Sequence, residues 1–413
     1  MSEMAARGCM RRIKTVAIKI GSGKTPSGGA ESYHEAGIPF LRSQNVHFGR
    51  LRLGDVAYID EGTHREMRSS LVRDGDVLLN ITGASLGRVA FIPMGFGDAN
   101  VNQHVCIIRP SRDVDTRFLA YACSSLTVQE QIFSSQVGGN RDGLNFEQVG
   151  NLQVWLPDLE EQRRIADFLD VESARMDKIT AALRRQIEIL NSREESVLHA
   201  FTALEGVPAV RIKHVVSRLT SGPRGWGALI ADEGVPFIRI TNVPRHGITL
   251  LLDDLLYVDA PPGGERERTR TRHGDVLVSI TADIGSVGFV EGEAINGNVS
   301  QHVCLLRADE RICHPKWLAY AIKAPVTNRV LKMSSYGGTK VGLGLAEVAD
   351  SAIPLPEIRV QKQQIDLIDK ALSSSATLLA GLANKLSLIT ERRQALITAA
   401  VTGQIDVTTA RGA

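Results

Sequence analysis

An α+β fold is predicted: two similar, mostly-β domains joined by two long helices that form an antiparallel coiled coil, with an internal pseudo-twofold repeat. Three observations predict it. The chain repeats itself at a nearly constant offset, each repeat opens with short β-branched runs broken by turn residues, and each closes on a long segment of helical periodicity.

The repeat comes first. Ile38-Pro39-Phe40-Leu41-Arg42 returns as Val235-Pro236-Phe237-Ile238-Arg239, and Asn45-Val46 as Asn242-Val243. Gly75-Asp76-Val77-Leu78, followed by Ile81-Thr82, returns as Gly274-Asp275-Val276-Leu277, followed by Ile280-Thr281. Gln103-His104-Val105-Cys106 matches Gln301-His302-Val303-Cys304, and Leu119-Ala120-Tyr121 matches Leu318-Ala319-Tyr320. Gly138-Gly139 pairs with Gly337-Gly338, and Leu156-Pro157 with Leu355-Pro356. The offset stays between 197 and 199 residues, the mark of a tandem duplication.

Within each copy the two parts separate by composition. Residues 1–156 and 207–355 are rich in short β-branched runs bounded by Gly, Pro, Asn and Asp. Residues 76–82 and 101–108 read as strands, and 116–137 as helix. Residues 157–206 and 356–405 follow; after Pro157 to about Leu204, and after Pro356 to about Thr402, Gly and Pro vanish apart from Gly381, and a short tail, 406–413, closes the chain. Pro157 and Pro356 stand where proline suits a helix entrance.

Helical spacing fills those segments. Ile165, Leu169, Met176, Ile179, Leu183, Ile187, Leu190, Val197 and Phe201 form one apolar stripe; Ile368, Leu372, Leu379, Leu382, Leu386, Ile389 and Leu396 form another. Ile179, Leu183, Ile187 and Leu190 have apolar counterparts 199 positions on, at Leu378, Leu382, Leu386 and Ile389. Neither stripe stays dry alone, so the helices are expected to pair with each other. In the order domain, helix, domain, helix, antiparallel pairing puts a head at each end of a stalk roughly 65 Å long at ~1.5 Å per residue.

Composition bounds the function. The 413 residues suit two or three domains, and 43% hydrophobic residues support proper cores. No apolar run is long enough for a membrane span, and residues 1–19 show no signal-peptide core or cleavage site. Five cysteines without a C-x-x-C pair fit a reducing cytoplasm, so a cytoplasmic protein is expected. Net charge is only +2, but the cations are 36 Arg against 12 Lys. That bias suits recognition of phosphates and guanine edges, and equally follows from a GC-rich genome. Residues 157–206 carry −4 while both β-rich parts carry +2. The acidic helix reads as a protein-binding surface or as a solvated face.

Motifs for catalysis are missing. Gly21-Ser22-Gly23-Lys24-Thr25 lacks the first glycine of a phosphate loop and runs into Pro26, so it reads as a turn. His104-x-Cys106 and His302-x-Cys304 place two metal-ligand types on one strand face, yet nothing at usual spacing completes a tetrahedral set. No H-E-x-x-H or acidic-Lys nuclease pattern is present.

A binding function remains. The loops after the repeated strands carry Arg42, Ser43, Asn45, His47 and Arg50 in the first copy, and Arg239, Thr241, Asn242 and Arg245 in the second. The loops after the second repeated strand add Thr82, Ser85, Arg88 and Thr281. Arg141 and Lys340, 199 apart beside the Gly-Gly pairs, are placed for phosphate contact, since glycine lets backbone approach a ligand closely. These side-chain types donate to phosphates and read base edges.

The whole chain resembles the specificity subunit of type I restriction-modification systems. The resemblance rests on the Pro39-Phe40-Leu41-Arg42, Gly75-Asp76-Val77-Leu78, Asn102-Gln103-His104 and Leu156-Pro157 motifs and on Glu161-Gln162-Arg163-Arg164-Ile165 with their second copies. It rests also on the ending Arg392-Arg393-Gln394-Ala395-Leu396-Ile397 through Val401-Thr402-Gly403-Gln404-Ile405. Two departures stand out: the second helix opens one residue longer, at Gln361-Lys362-Gln363-Gln364-Ile365, and the first ends without Val-Thr-Gly. The resemblance implies a non-catalytic subunit whose two target recognition domains each read half of a bipartite, asymmetric double-stranded DNA site. It implies two methyltransferase subunits and restriction/translocase subunits as partners, with S-adenosylmethionine, ATP and Mg held there, and no cofactor, metal or membrane contact in this chain. A coiled-coil scaffold that binds no DNA, and a methylation-only system, are the other readings of the same architecture.

Overall fold

A computed structural model describes residues 8–135, 143–334 and 342–408. The chain divides into two compact units, Met1–Ala181 with Lys385–Ala413, and Ala182–Asn384. Each unit is therefore a β-rich head plus a stretch of both long helices, Leu159–Thr202 (the central helix) and Ile358–Val401 (the distal helix). Among the described residues no helix is long and apolar enough to cross a membrane.

The heads are built alike. In the first, Ala17–Ser22, Val105–Pro110, Val77–Asn80 and Val89–Phe91 form an antiparallel sheet in that order. In the second, Val216–Ser221, Val303–Ala308, Val276–Ser279 and Val287–Phe289 do the same. A smaller sheet centres on Ile38–Leu41, paired antiparallel to Ala57–Ile59 and parallel to Asn100–Val101. Its counterpart centres on Val235–Ile238.

The recurrent Gly-Asp-Val-Leu is explained by its turn. Gly75 and Gly274 adopt φ +82° and +85°, a region that costs other residues a Cβ clash. The aspartate then closes the turn: Asp76 accepts the Arg73 N–H at 2.7 Å, and Asp275 that of Arg272 at 2.7 Å. Each buried carboxylate also takes a bidentate arginine, Arg109 at 2.7 and 2.8 Å or Arg307 at 2.7 Å twice. Forked pairs of this kind fix geometry as well as charge.

Each long helix is pinned to its head by one buried glutamine. The Gln162 amide accepts from Asp115 N–H at 2.9 Å and donates to the carbonyls of Pro157 and Asp113. Gln361 accepts from His314 N–H at 2.7 Å and donates to Pro356 and Ile312. About two turns on, Tyr121 donates to Asp170 and Tyr320 to Asp369, which accounts for the repeated Leu-Ala-Tyr. Gln162 and Gln361 stand 199 apart with the same bonds, and both helices run 44 residues. The extra residue expected at the distal opening is therefore absent; Ile365 takes the buried place of Ala166, not that of Ile165.

The helices run antiparallel within each unit. Ile397, Ala400 and Val401 of the distal helix share a core with Ile165, Ala166 and Leu169 near the start of the central one. Arg393 reaches back to Asp177 at 2.6 Å. In the second unit Leu198 joins the same core as Ile365 and Ile368. Most stripe residues are buried or half-buried, but Ile179 and its counterpart Leu378 are 43% and 54% exposed, turned out of the seam that spacing assigned them. Two further boundaries differ from expectation. The helix expected from 116 is two, Thr116–Ser124 and Leu126–Ser134, because Ser125 caps the second; Val137 lies outside the described residues. The strand expected over 101–108 is interrupted at 102–104, where Asn102 Oδ1 accepts the His104 N–H.

Candidate nucleic-acid interface

In the first head two loops, 42–52 and 80–88, meet at one surface. Asn45 organises the first. Its Oδ1 accepts the Arg42 N–H at 2.9 Å, and its Nδ2 donates to Arg52 O at 2.9 Å and to Asp55 at 3.2 Å. Val46–His47 and Arg50–Leu51 then pair as a hairpin closed by Phe48-Gly49. The second loop is tied on by Asn80 Nδ2 to Ser43 O at 2.8 Å, and Val89 O accepts the Gly49 N–H at 2.8 Å. His47 and Arg50 thus pair across the hairpin, Ser43 and Arg88 stand beside it, and Ser85 lies in the second loop, where its carbonyl accepts the Arg88 N–H. Thr82 stands farther along, sharing a 2.6 Å hydrogen bond with His104.

The charges that act on His47 are cationic. Partial burial depresses the His47 pKa below the usual imidazole value, and the guanidiniums of Arg52, Arg88 and Arg50 depress it further. No hydrogen bond or ion pair engages those three side chains among the described residues.

The second head uses the same frame. Asn242 accepts the Arg239 N–H at 2.9 Å and donates to Leu251 O at 2.8 Å. Thr241 is exposed, Thr281 half-buried, and Arg245 lies on Asp283 at 2.7 Å. Beside them a cleft of about 590 Å³ is lined by Glu194, His246, Asp283 and Lys323 among others. Burial lowers the His246 and Lys323 pKa values, while the Glu194 carboxylate opposes both shifts.

Four sequence-predicted contact residues prove to be framework. Asn45 and Asn242 are buried with both amide atoms committed inside the loop. Arg42 and Arg239 brace it, donating to the carbonyls of Asp55 and Asp254, with Arg42 also over the Tyr33 ring. They hold the surface rather than present themselves on it. Arg141 and Lys340 lie outside the described residues.

Two other motifs also resolve into framework. Gly23, and Gly222 in the repeat, allow a close backbone crossing: a Cβ there would sit 1.6 and 1.9 Å from the carbonyl oxygens of Val101 and Val299. No helix follows Gly23 to receive a phosphate. Cys106 and Cys304 are packed in the cores, where burial pushes each thiol up to about 12, while His104 is spent on Thr82.

Sequence reading missed Phe48, Glu194 and Lys323. Phe48 is an aromatic before a glycine in a polar loop, a visible hairpin signal. Glu194 and Lys323 meet only through the fold.

Comparison with known proteins agrees with this geometry. A profile of the type I restriction modification DNA specificity domain matches residues 10–189 and 260–388. The type I restriction enzyme EcoBI specificity subunit of Escherichia coli is 22% identical, over 89% of this chain and 80% of that protein. The StySPI specificity subunit of Salmonella potsdam is 21% identical, over 89% and 82%. A chain from a structure of the complex assembly and conformational transition of the type I R-M system superposes with TM-score 0.63 at 18% identity, covering 97% of this chain and 98% of that one.

Proposed function

The chain belongs to the type I restriction modification DNA specificity family, and from that premise we propose that it is the non-catalytic subunit that chooses the DNA target. Each head reads one half of a bipartite, asymmetric double-stranded site. Two methyltransferase subunits dock on the chain and methylate adenine N6, and restriction/translocase subunits complete the complex. S-adenosylmethionine, ATP and Mg belong to those partners. The target base must leave the stack to be methylated, so the bound DNA is distorted.

One observation supports this reading above the rest. The same buried frame, Asn45 with Arg42 and Asn242 with Arg239, carries different exposed side chains in the two heads. A shared frame with unlike surfaces is what two half-sites of unlike sequence require. Mapping N6-methyladenine in cells with and without this gene tests it. A bipartite motif should lose its methylation when the gene is removed. An unchanged methylome, together with sequence-independent binding by the purified complex, refutes the proposal.

A further inference from the structure

The tips of the two recognition loops are equivalent in backbone and opposite in what holds them. Gly49 and Gly247 take the same left-handed turn, φ +71° and +69°. They align His47-Phe48 of the first tip with Arg245-His246 of the second.

The second tip is tied down. Glu194 of the central helix, its side chain 7% exposed, accepts the Gly247 N–H at 2.7 Å and lies 3.8 Å from the His246 ring. Lys323, 8% exposed, sits 4.0 Å from the same carboxylate and donates to Arg245 O at 2.8 Å. The Arg245 charge is met by Asp283.

Among the described residues of the first unit none of this recurs. The position 199 after Glu194 is Arg393, which binds Asp177 and Ser173 O, and Ser124 stands where Lys323 would be. Among the described residues no hydrogen bond or ion pair joins the first tip to a long helix. Phe48 is 51% exposed at the hairpin's end; Arg50 pairs with His47 across the hairpin, Arg52 closes the loop on Asn45, and Arg88 precedes Val89, whose carbonyl takes the Gly49 N–H.

We infer that the first hairpin is a DNA-engaging prong, Phe48 packing in the groove while Arg50, Arg52 and Arg88 clamp phosphates, and that the second tip is a latch that does not touch DNA. The inference rests on the DNA-reading function proposed above and deepens it. An exposed apolar side chain on a hairpin that carries and adjoins cations fits a duplex, because the cations meet the backbone and the ring meets base edges or a base step. A latched tip with its charges paired releases few counterions. The two half-sites are then bound by unlike means, the first carrying more of the salt dependence.

The test uses the full complex with its methyltransferase subunits and a duplex bearing the mapped site, titrated over a salt series. Arg50→Ala and Arg88→Ala should each reduce the slope of log affinity against log salt by about 0.9. Phe48→Ala should weaken binding about tenfold with the slope unchanged, and Phe48→Trp should restore it. Arg245→Ala and His246→Ala should leave the slope as it was. The inference is overturned if Arg245→Ala costs as much slope as Arg88→Ala. It is overturned equally if Phe48→Ala binds DNA normally but loses methyltransferase subunits, which would make the hairpin a protein-docking element. If the wild-type complex shows no sequence preference, the functional proposal fails instead, which is a separate result.

Discussion

Replacing Asp76 by Asn removes one charge from the first head and little else. The amide keeps the carboxylate's size, and its oxygen still accepts the Arg73 N–H that closes the turn. What disappears is the anion opposite Arg109, whose side chain is only 15% exposed and whose other bond is a 3.4 Å contact to Leu71 O. Orphaning one member of a buried pair costs about 3–5 kcal/mol. Because Arg109 retains some access to water, the lower end applies, about 3 kcal/mol. For a unit of some 200 residues each kcal/mol is worth about 2–4 °C, so the first unit should melt about 6–12 °C lower. Calorimetry gives the shift, and hydrogen exchange by mass spectrometry locates it in residues 1–181. Adding Arg109→Met should recover most of the loss, since removing both charges is far cheaper than removing one. Asp275→Asn should do the same to the second unit through Arg307. A shift below about 2 °C, or no recovery in the double variant, would show that the pair is incidental to stability.

Gly403→Ala forces a side chain into φ +71° with its Cβ about 3.1 Å from the Trp155 ring, and should cost about 1–3 kcal/mol by urea denaturation. Leu183→Asp puts a carboxylate at a buried position of the second unit, where Leu382 is buried as well; several kcal/mol should be lost, and a native melting curve would refute the seam. Burial depresses the folded pKa of His47, His246 and His314, so the unfolded chain binds more protons on acidification. Stability should be full above about pH 6.5 and fall as pH drops below it, and replacing all three by Gln should flatten that slope. Arg141→Ala and Lys340→Ala, chosen from sequence, should each remove about one phosphate contact from the salt slope without changing the sequence preferred.

Much of the architecture was legible because its signals are local or repeated. Helical spacing from Ile165 to Phe201 and from Ile368 to Leu396 located both long helices, and the duplication supplied each with a partner. What stayed hidden depends on long range. Gln394 donates to Ser124 O across 270 residues, and Leu126 N–H finds Thr398 across 272, so the distal helix completes the first head in a way no window reveals. The outward turn of Ile179 and Leu378 follows from an apolar spacing that does not say which of two adjacent turns faces the seam. Ser125 broke a helix because a short polar side chain satisfies the backbone of the next one better than it continues the last.

A duplicated chain also carries its own control, and it separates frame from function differently from motif reading. Asn45 and Asn242, with Arg42 and Arg239, are donor side chains in polar loops, the types that suit a recognition surface, and they also recur. In the structure their sameness has another cause: both copies must close the same loop, and a buried amide with no alternative partner tolerates no drift. The same holds for Asp76 with Asp275 and Gln162 with Gln361. Residues that must read different bases are under the opposite pressure, so they should differ between copies on an unchanged backbone. Phe48 and Arg88 meet that description: His246 and Ser286 stand in their places in the second head, and in the first head the two side chains are exposed and half-buried. Exchanging the segment 46–52 for 243–251 should therefore leave both heads folded while altering only the half-site read by the first. If the exchange unfolds the head instead, the tip belongs to the frame after all.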